Sequence, residues 1–185
     1  FTVTITVNPE PQINNFSETI CTDNTFSTVS PSDGDNGDVV PSGTTYTWGL
    51  PISDPVNAVT GGSFGTDQQS ILGQTLFNET NSPATLTYTV TPTSGDCIGD
   101  DFLITITVNP TGQVIDPLDQ LVCNSELTTV DFTTDNTAGT TTYQWSSDPD
   151  LGSGSSGSGN ISFTAENLTT DLLVSTFTVI PTFTN

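Results

Sequence analysis

Apolar and polar side chains alternate with a period of two along Phe102-Leu-Ile-Thr-Ile-Thr-Val-Asn-Pro110, and nearly the same run, Phe1-Thr-Val-Thr-Ile-Thr-Val-Asn-Pro9, opens the chain. That period describes a strand with one buried face. Asn-Pro stops it, because proline has no ladder donor. Three further anchors recur in the same order. Thr19-Ile-Cys21 matches Leu121-Val-Cys123, Tyr46-Thr-Trp48 matches Tyr143-Gln-Trp145, and Leu86-Thr-Tyr88-Thr-Val90-Thr-Pro92 matches Ser175-Thr-Phe177-Thr-Val179-Ile-Pro181. The second copy trails the first by 102 residues at the cysteines (Cys21, Cys123), 97 at the tryptophans (Trp48, Trp145) and 89 at the valines (Val90, Val179). A shrinking offset places the deletions in loops, where they are best tolerated. Residues 1–9 are therefore expected to be the closing strand of an upstream repeat, 10–110 a complete repeat, and 111–185 a second repeat truncated before its closing strand.

Within the complete repeat, strands are expected over 13–21, 26–29, 44–48 and 70–77, and as an antiparallel hairpin over 86–93 and 102–108. Residues 161–163 and 175–182 are the counterparts in the second copy. Residues 50–69 read as a long polar excursion over one edge, and 148–159 as a flexible Gly/Ser connector. Pro9-Glu-Pro11 and Pro110-Thr-Gly-Gln are stiff joints, since proline fixes φ. Tyr46 and Trp48 share one strand face, as do Tyr143 and Trp145, and recurrence at one strand position marks all four as core aromatics. The competing reading is a platform for a sugar ring, for which Phe64 and Phe77 are the candidates outside the expected core. About seven short strands per ~100 residues, a Trp on the third and no helical pattern give an all-β chain of tandem immunoglobulin-like antiparallel β-sandwiches.

Composition narrows the chemistry. The 185 residues include no Lys, Arg or His against 21 Asp plus Glu, a formal charge of −21. No side-chain salt bridge can form, and carboxylates must be compensated by backbone donors, hydroxyls, amides, water or cations. Nucleic acid is excluded as a partner because a phosphate backbone would meet only like charge. No apolar run approaches the ~20 residues of a membrane span. Without His, Lys or Arg, the chemistry left for catalysis is a carboxylate pair or an isolated Ser, and no nucleophile elbow is present, so no enzyme activity is expected.

Two acidic stretches are candidates for a hard cation such as calcium: Asp33, Asp35 and Asp38 on a Gly-rich loop, and Asp96, Asp100 and Asp101 around a hairpin tip. Their spacing is not that of an EF-hand, and the first has no counterpart in copy two. Solvated acidic turns are the competing reading. The three cysteines fit one bridge per secreted repeat: Cys21 to Cys97, and Cys123 to a cysteine following residue 185. Buried free thiols are the alternative. Asn78-Glu-Thr80, Asn167-Leu-Thr169, Asn15-Phe-Ser17 and Asn160-Ile-Ser162 are sequons, read here as turns in a chain rich in Asn and Thr.

The Cys21 start, the Tyr-x-Trp strand, the Thr-Tyr88-Thr-Val-Thr-Pro92-Thr…Gly-x-Cys97 hairpin and the closing Ile-Thr-Val-Asn-Pro110 together resemble the PKD-like repeats of giant cell-surface proteins of Bacteroidetes. The chain departs from true PKD domains, which carry Asp-Gly after the Trp strand, where Trp48 is followed by Gly49-Leu50. The resemblance implies an extracellular, surface-displayed filament or adhesin in which such repeats supply length, serving attachment or gliding. Its partners would be neighbouring repeats and a polysaccharide or abiotic substratum, with no membrane insertion. Two other readings stay open, a polysaccharide-binding module and a subunit of a strand-exchange polymer.

Overall fold

A computed structural model describes residues 1–185, which divide into two compact units, Phe1–Pro110 and Thr111–Asn185. The first unit holds β1 (Phe16–Cys21), β2 (Asn24–Thr25), a single 3₁₀ turn (Asp35–Gly37), β3 (Thr45–Trp48), β4 (Ile52–Asp54), β5 (Val59–Thr60), β6 (Gly65–Gln68), β7 (Thr75–Asn78), β8 (Ala84–Ser94), β9 (Cys97–Ile98) and β10 (Phe102–Asn109). The second holds β11 (Leu127–Val130), β12 (Thr140–Asp148), β13 (Ser156–Ser158), β14 (Ile161–Thr164) and β15 (Thr176–Thr184). The chain is all-β, as the period-two runs require.

The main sheet of the first unit runs β1-β10-β8-β3-β6, with β4 and β9 also on β8, and faces a small sheet β2-β7-β5. Alternation does the sorting. On β10 the side chains of Phe102, Ile104, Ile106 and Val108 are buried while those between them point away, and β8 buries Ala84, Leu86, Tyr88 and Val90 in the same phase. They meet Phe26, Val59, Ile71 and Leu76 from the opposite layer, and the Phe26 and Tyr88 rings approach to 5.7 Å between centroids. A slip of one residue on β10 would turn four large apolar side chains to water, at about 1.5–3 kcal/mol each, so register is fixed by burial.

The hairpin of β8 and β10 forms as expected, with Phe102 opposite Val90 and Val108 opposite Ala84. The first strand behaves differently. β1 pairs with β10 in parallel, from Phe16 opposite Ile104 to Cys21 opposite Asn109. Residues 50–69 are no simple excursion, since they carry β4, β5 and β6. Residues 26–29 contribute only a bridge between Val29 and Ile71. Residues 1–10 take part in no strand.

The second unit packs the pair β11-β14 against the sheet β13-β12-β15. Its buried centre is Phe132, Tyr143 and Ile161, ringed by partly buried Val114, Val130, Trp145, Phe163, Phe177 and Val179. The Gly/Ser run, expected to be only a connector, places Ser156–Ser158 as an edge strand beside Gln144–Ser146.

Candidate functional site

Trp48 comes from β3 and Tyr88 from β8, and a polar chain running from these buried rings out to the surface ties them to the loop before β6. Trp48 Nε1 donates to the Ser63 carbonyl (2.9 Å), Ser63 N donates to Gln74 Oε1 (2.7 Å), and the Tyr88 hydroxyl donates to the same Oε1 (2.9 Å). Burial pushes the Tyr88 phenol well above its usual range. Satisfying the Trp48 and Tyr88 donors stabilises the core, because an orphaned buried polar atom costs about 1–3 kcal/mol. The arrangement leaves no free donor or acceptor aimed at a ligand.

A glycine lies against each tryptophan. A Cβ on Gly65 would fall 2.4 Å from the Trp48 ring, and one on Gly157 would fall 2.3 Å from that of Trp145. Both glycines sit on the strand next to the tryptophan, so the indole packs over bare backbone. Trp145 Nε1 has no protein partner, in contrast to Trp48, because the shorter loop of copy two brings no carbonyl to it. All four expected core aromatics do lie in or against the cores: Tyr46, Trp48 and Tyr143 are buried and Trp145 is half-buried.

The acidic loop closes on itself. Gly34 at φ +83° and Gly37 at φ +85° let the chain turn around Asp35–Gly37, and Gly34 N donates to the Asp38 carbonyl (2.9 Å). Asp38 points inward, 8% exposed, and its Oδ1 accepts from Asn14 N (2.8 Å) and Asn14 Nδ2 (3.0 Å). Asp33 Oδ1 accepts from Val40 N (3.0 Å). Asp101 Oδ1 accepts from the Thr91 hydroxyl (2.5 Å). Neither Asp33, Asp35 and Asp38 nor Asp96, Asp100 and Asp101 come together as a ligand set, and nowhere do three acidic or thiol side chains converge. The residues do not fit a calcium ion, since Asp38 and Asp33 spend an oxygen each on backbone donors. The melting temperature is expected to be the same in millimolar calcium and in chelator. A rise of several degrees with calcium would overturn this, because a ligand bound to the native state alone must stabilise it.

The expected Cys21–Cys97 bridge is corrected by the parallel pairing of β1. Cys21 lies beside Asn109 at one end of β10, whereas Cys97 precedes Phe102 at the other. Seven residues of strand at ~3.3 Å each separate those ends by roughly 23 Å, and a disulfide spans less than about 7 Å between Cα atoms. No two of the three cysteines pair with each other, and with Cys21 and Cys123 exposed and Cys97 half-buried none is a fully buried thiol.

The sequons are structural. Asn78 Oδ1 accepts from the backbone N–H (2.8 Å) and hydroxyl (2.8 Å) of Thr80, while its Nδ2 donates to the carbonyls of Ser82 (2.8 Å) and Val108 (2.7 Å). Asn167 makes the same knot with Thr169 and the Asp171 carbonyl. Asn15 Oδ1 receives Leu103 N, and Asn160 Oδ1 receives Phe132 N. Phe64 and Phe77 are exposed, outside the core as expected.

No sequence signal singled out Gln74, Ser63, Gly65 or Gly157. The glycine opposite each tryptophan recurs in both copies, but in the second it is hidden in a Gly/Ser run. What the polar side chains do throughout is close turns and cap loops, and no helix is long and apolar enough to cross a membrane. No curated protein matches the chain. The PKD-like domain family matches residues 18–112, from within β1 to just past β10 and over more than half of the chain, so the chain belongs to the PKD-like domain family.

Proposed function

We propose that this chain is a spacer segment of a long extracellular surface filament or adhesin, serving attachment to a surface or gliding over it. The observation that carries the reading is the succession of two units of one pattern whose singled-out polar groups hydrogen-bond inside their own unit. Such a module adds length and carries a net negative charge. Membership of the PKD-like family supports an extracellular, structural role, and PKD-like domains are generally non-catalytic. A second reading, a polysaccharide-binding module, would rest on the exposed rings of Phe64 and Phe77, since Tyr46, Trp48, Tyr88 and Tyr143 are buried. The partners are then neighbouring repeats along the same filament, with the grip on polysaccharide or abiotic material lying elsewhere along it. An antibody raised against the first unit is expected to label intact, unpermeabilised source cells at their surface. Labelling only after permeabilisation would overturn the reading.

A further inference from the structure

A groove opens at one edge of the first unit, lined from both β4 and β5. Each is an edge strand: β4 pairs only with β8, and β5 only with β7. The groove measures about 490 Å³, and it reaches the core, since Val59 and Leu86 on its floor are 5% and 2% exposed. Leu50, Ile52 and Val56 line it too, and these are 72–81% exposed. Aliphatic side chains this open would suit a loose loop, but the backbone that carries them is fixed. Ala58 N donates to the Pro55 carbonyl (3.0 Å), Val59 N donates to Ser53 Oγ (2.9 Å), and the Ser53 hydroxyl donates to the Pro55 carbonyl (2.6 Å). Gly62 closes one side so tightly that a Cβ there would fall 2.5 Å from Pro51 and 2.8 Å from Leu86. A contiguous apolar patch held open on a fixed scaffold marks a contact surface.

Charge says what covers it. Asp54 follows groove-lining Ser53 on β4, and Glu79 Oε1 accepts from the hydroxyl of groove-lining Thr60 (3.4 Å). Both carboxylates are exposed, and a chain without Lys, Arg or His has no cationic side chain to set beside them. A second copy is a poor occupant, because it brings the same charge of −21 and no cationic side chain. A sugar is a poor occupant of this groove as well, because none of the lining residues is aromatic. An occupant that complements the groove is aliphatic where it meets Leu86 and Val59 and cationic where it meets Asp54 and Glu79.

We propose that this groove docks a basic, aliphatic peptide segment of another protein. The segment lies extended along the unpaired edge of β4, where main-chain hydrogen bonds hold it, and its aliphatic side chains fill the space above Leu86. Its Lys or Arg side chains reach the two rim carboxylates, which select for sign of charge and speed the encounter. The docking adds a partner to the first unit and does not depend on the spacer reading.

The probe is a fluorescent peptide, Lys-Val-Lys-Leu-Lys-Val-Lys, titrated against the 185-residue chain at moderate salt and followed by anisotropy. It is expected to bind, and the amide shifts it causes are expected to cluster in residues 50–62 and at Glu79. Lys-Ser-Lys-Ser-Lys-Ser-Lys, which keeps the charge alone, and Glu-Val-Glu-Leu-Glu-Val-Glu, which reverses it, are expected to bind at least about tenfold more weakly. Ile52→Ser with Val56→Ser changes two exposed side chains and is expected to weaken the first peptide about tenfold, with melting temperature unchanged. Asp54→Asn with Glu79→Gln should weaken it several-fold and flatten its salt dependence, whereas Asp96→Asn with Asp100→Asn, at the hairpin tip, should do neither. Absence of binding overturns the proposal. So does equal binding of the serine peptide, equal loss in the hairpin-tip variant, or shifts scattered over the unit, each of which would mean attraction to acidic surface in general. Surface labelling of cells tests the spacer reading separately, and its result is unaffected by any of these outcomes.

Discussion

Trp48→Ala is expected to lower the stability of the first unit by about 3–5 kcal/mol, the range for removing a large aromatic from a packed core. The indole is 6% exposed and lies over the bare backbone of Gly65, so nothing larger is at hand to fill the void. The substitution also strips the Ser63 carbonyl of its donor. For a unit of this size the loss corresponds to a melting point lower by roughly 15–25 °C. Trp145→Ala in the second unit should cost only about half as much, because its ring is half-buried and its Nε1 has no protein partner to lose. Urea unfolding of both variants, followed by amide signals assigned to each unit, checks the pair. Equal losses, or a loss under about 1 kcal/mol for Trp48→Ala, would refute the account.

Alkali should unfold the first unit. Tyr46 and Tyr88 both have phenols held above their ordinary range, Tyr88 by burial, and Tyr46 by burial first and the nearby Asp38 carboxylate second. The unfolded chain releases these protons near pH 10 while the folded chain retains them. The unfolded state therefore binds fewer protons above that pH, and stability falls as pH rises. The contribution is fully present below pH 10 and disappears as pH climbs through the raised folded values. Each group steepens the fall by up to about 1.4 kcal/mol per pH unit, so two acting together give nearly 3. Melting temperatures should be flat from pH 8 to about 9.5 and then drop sharply. Tyrosinate absorbance attributable to Tyr46 and Tyr88 should rise only as the fold is lost, and its appearance in a folded unit would contradict the prediction.

The strands with strict alternation were legible from the sequence because burial of one face leaves a period that nothing else produces. β8 and β10 carry that pattern over long runs, and their hairpin has the expected partners. Residues 26–29 and 50–69 were harder. Strands of two to four residues such as β2, β4 and β5 are too short to show a period, and they are held by contacts with β7 and β8 from far along the chain. The direction of β1 left no mark either, since parallel and antiparallel partners bury the same face. That unseen direction is what misplaced Cys21 relative to Cys97. The acidic loop misled for a related reason. Spacing along the chain brings Asp33, Asp35 and Asp38 close in sequence, but Asn14, 24 residues before Asp38, draws one carboxylate inward. The polar chain through Gln74 depends on three separate elements meeting, which no local pattern records.

The parallel seam between β1 and β10 decides how the first unit carries load. When the unit is stretched by the chain on either side, tension enters β1 at Phe16 and leaves β10 at Asn109, at opposite ends of the seam. The two strands are then drawn past each other lengthwise. All six residue pairs from Phe16–Ile104 to Cys21–Asn109 resist together, in shear, and none can open one at a time. An antiparallel seam pulled through the same two points would peel like a zip. The direction of one short strand thus makes the unit hardest to extend along the axis on which a tether is pulled.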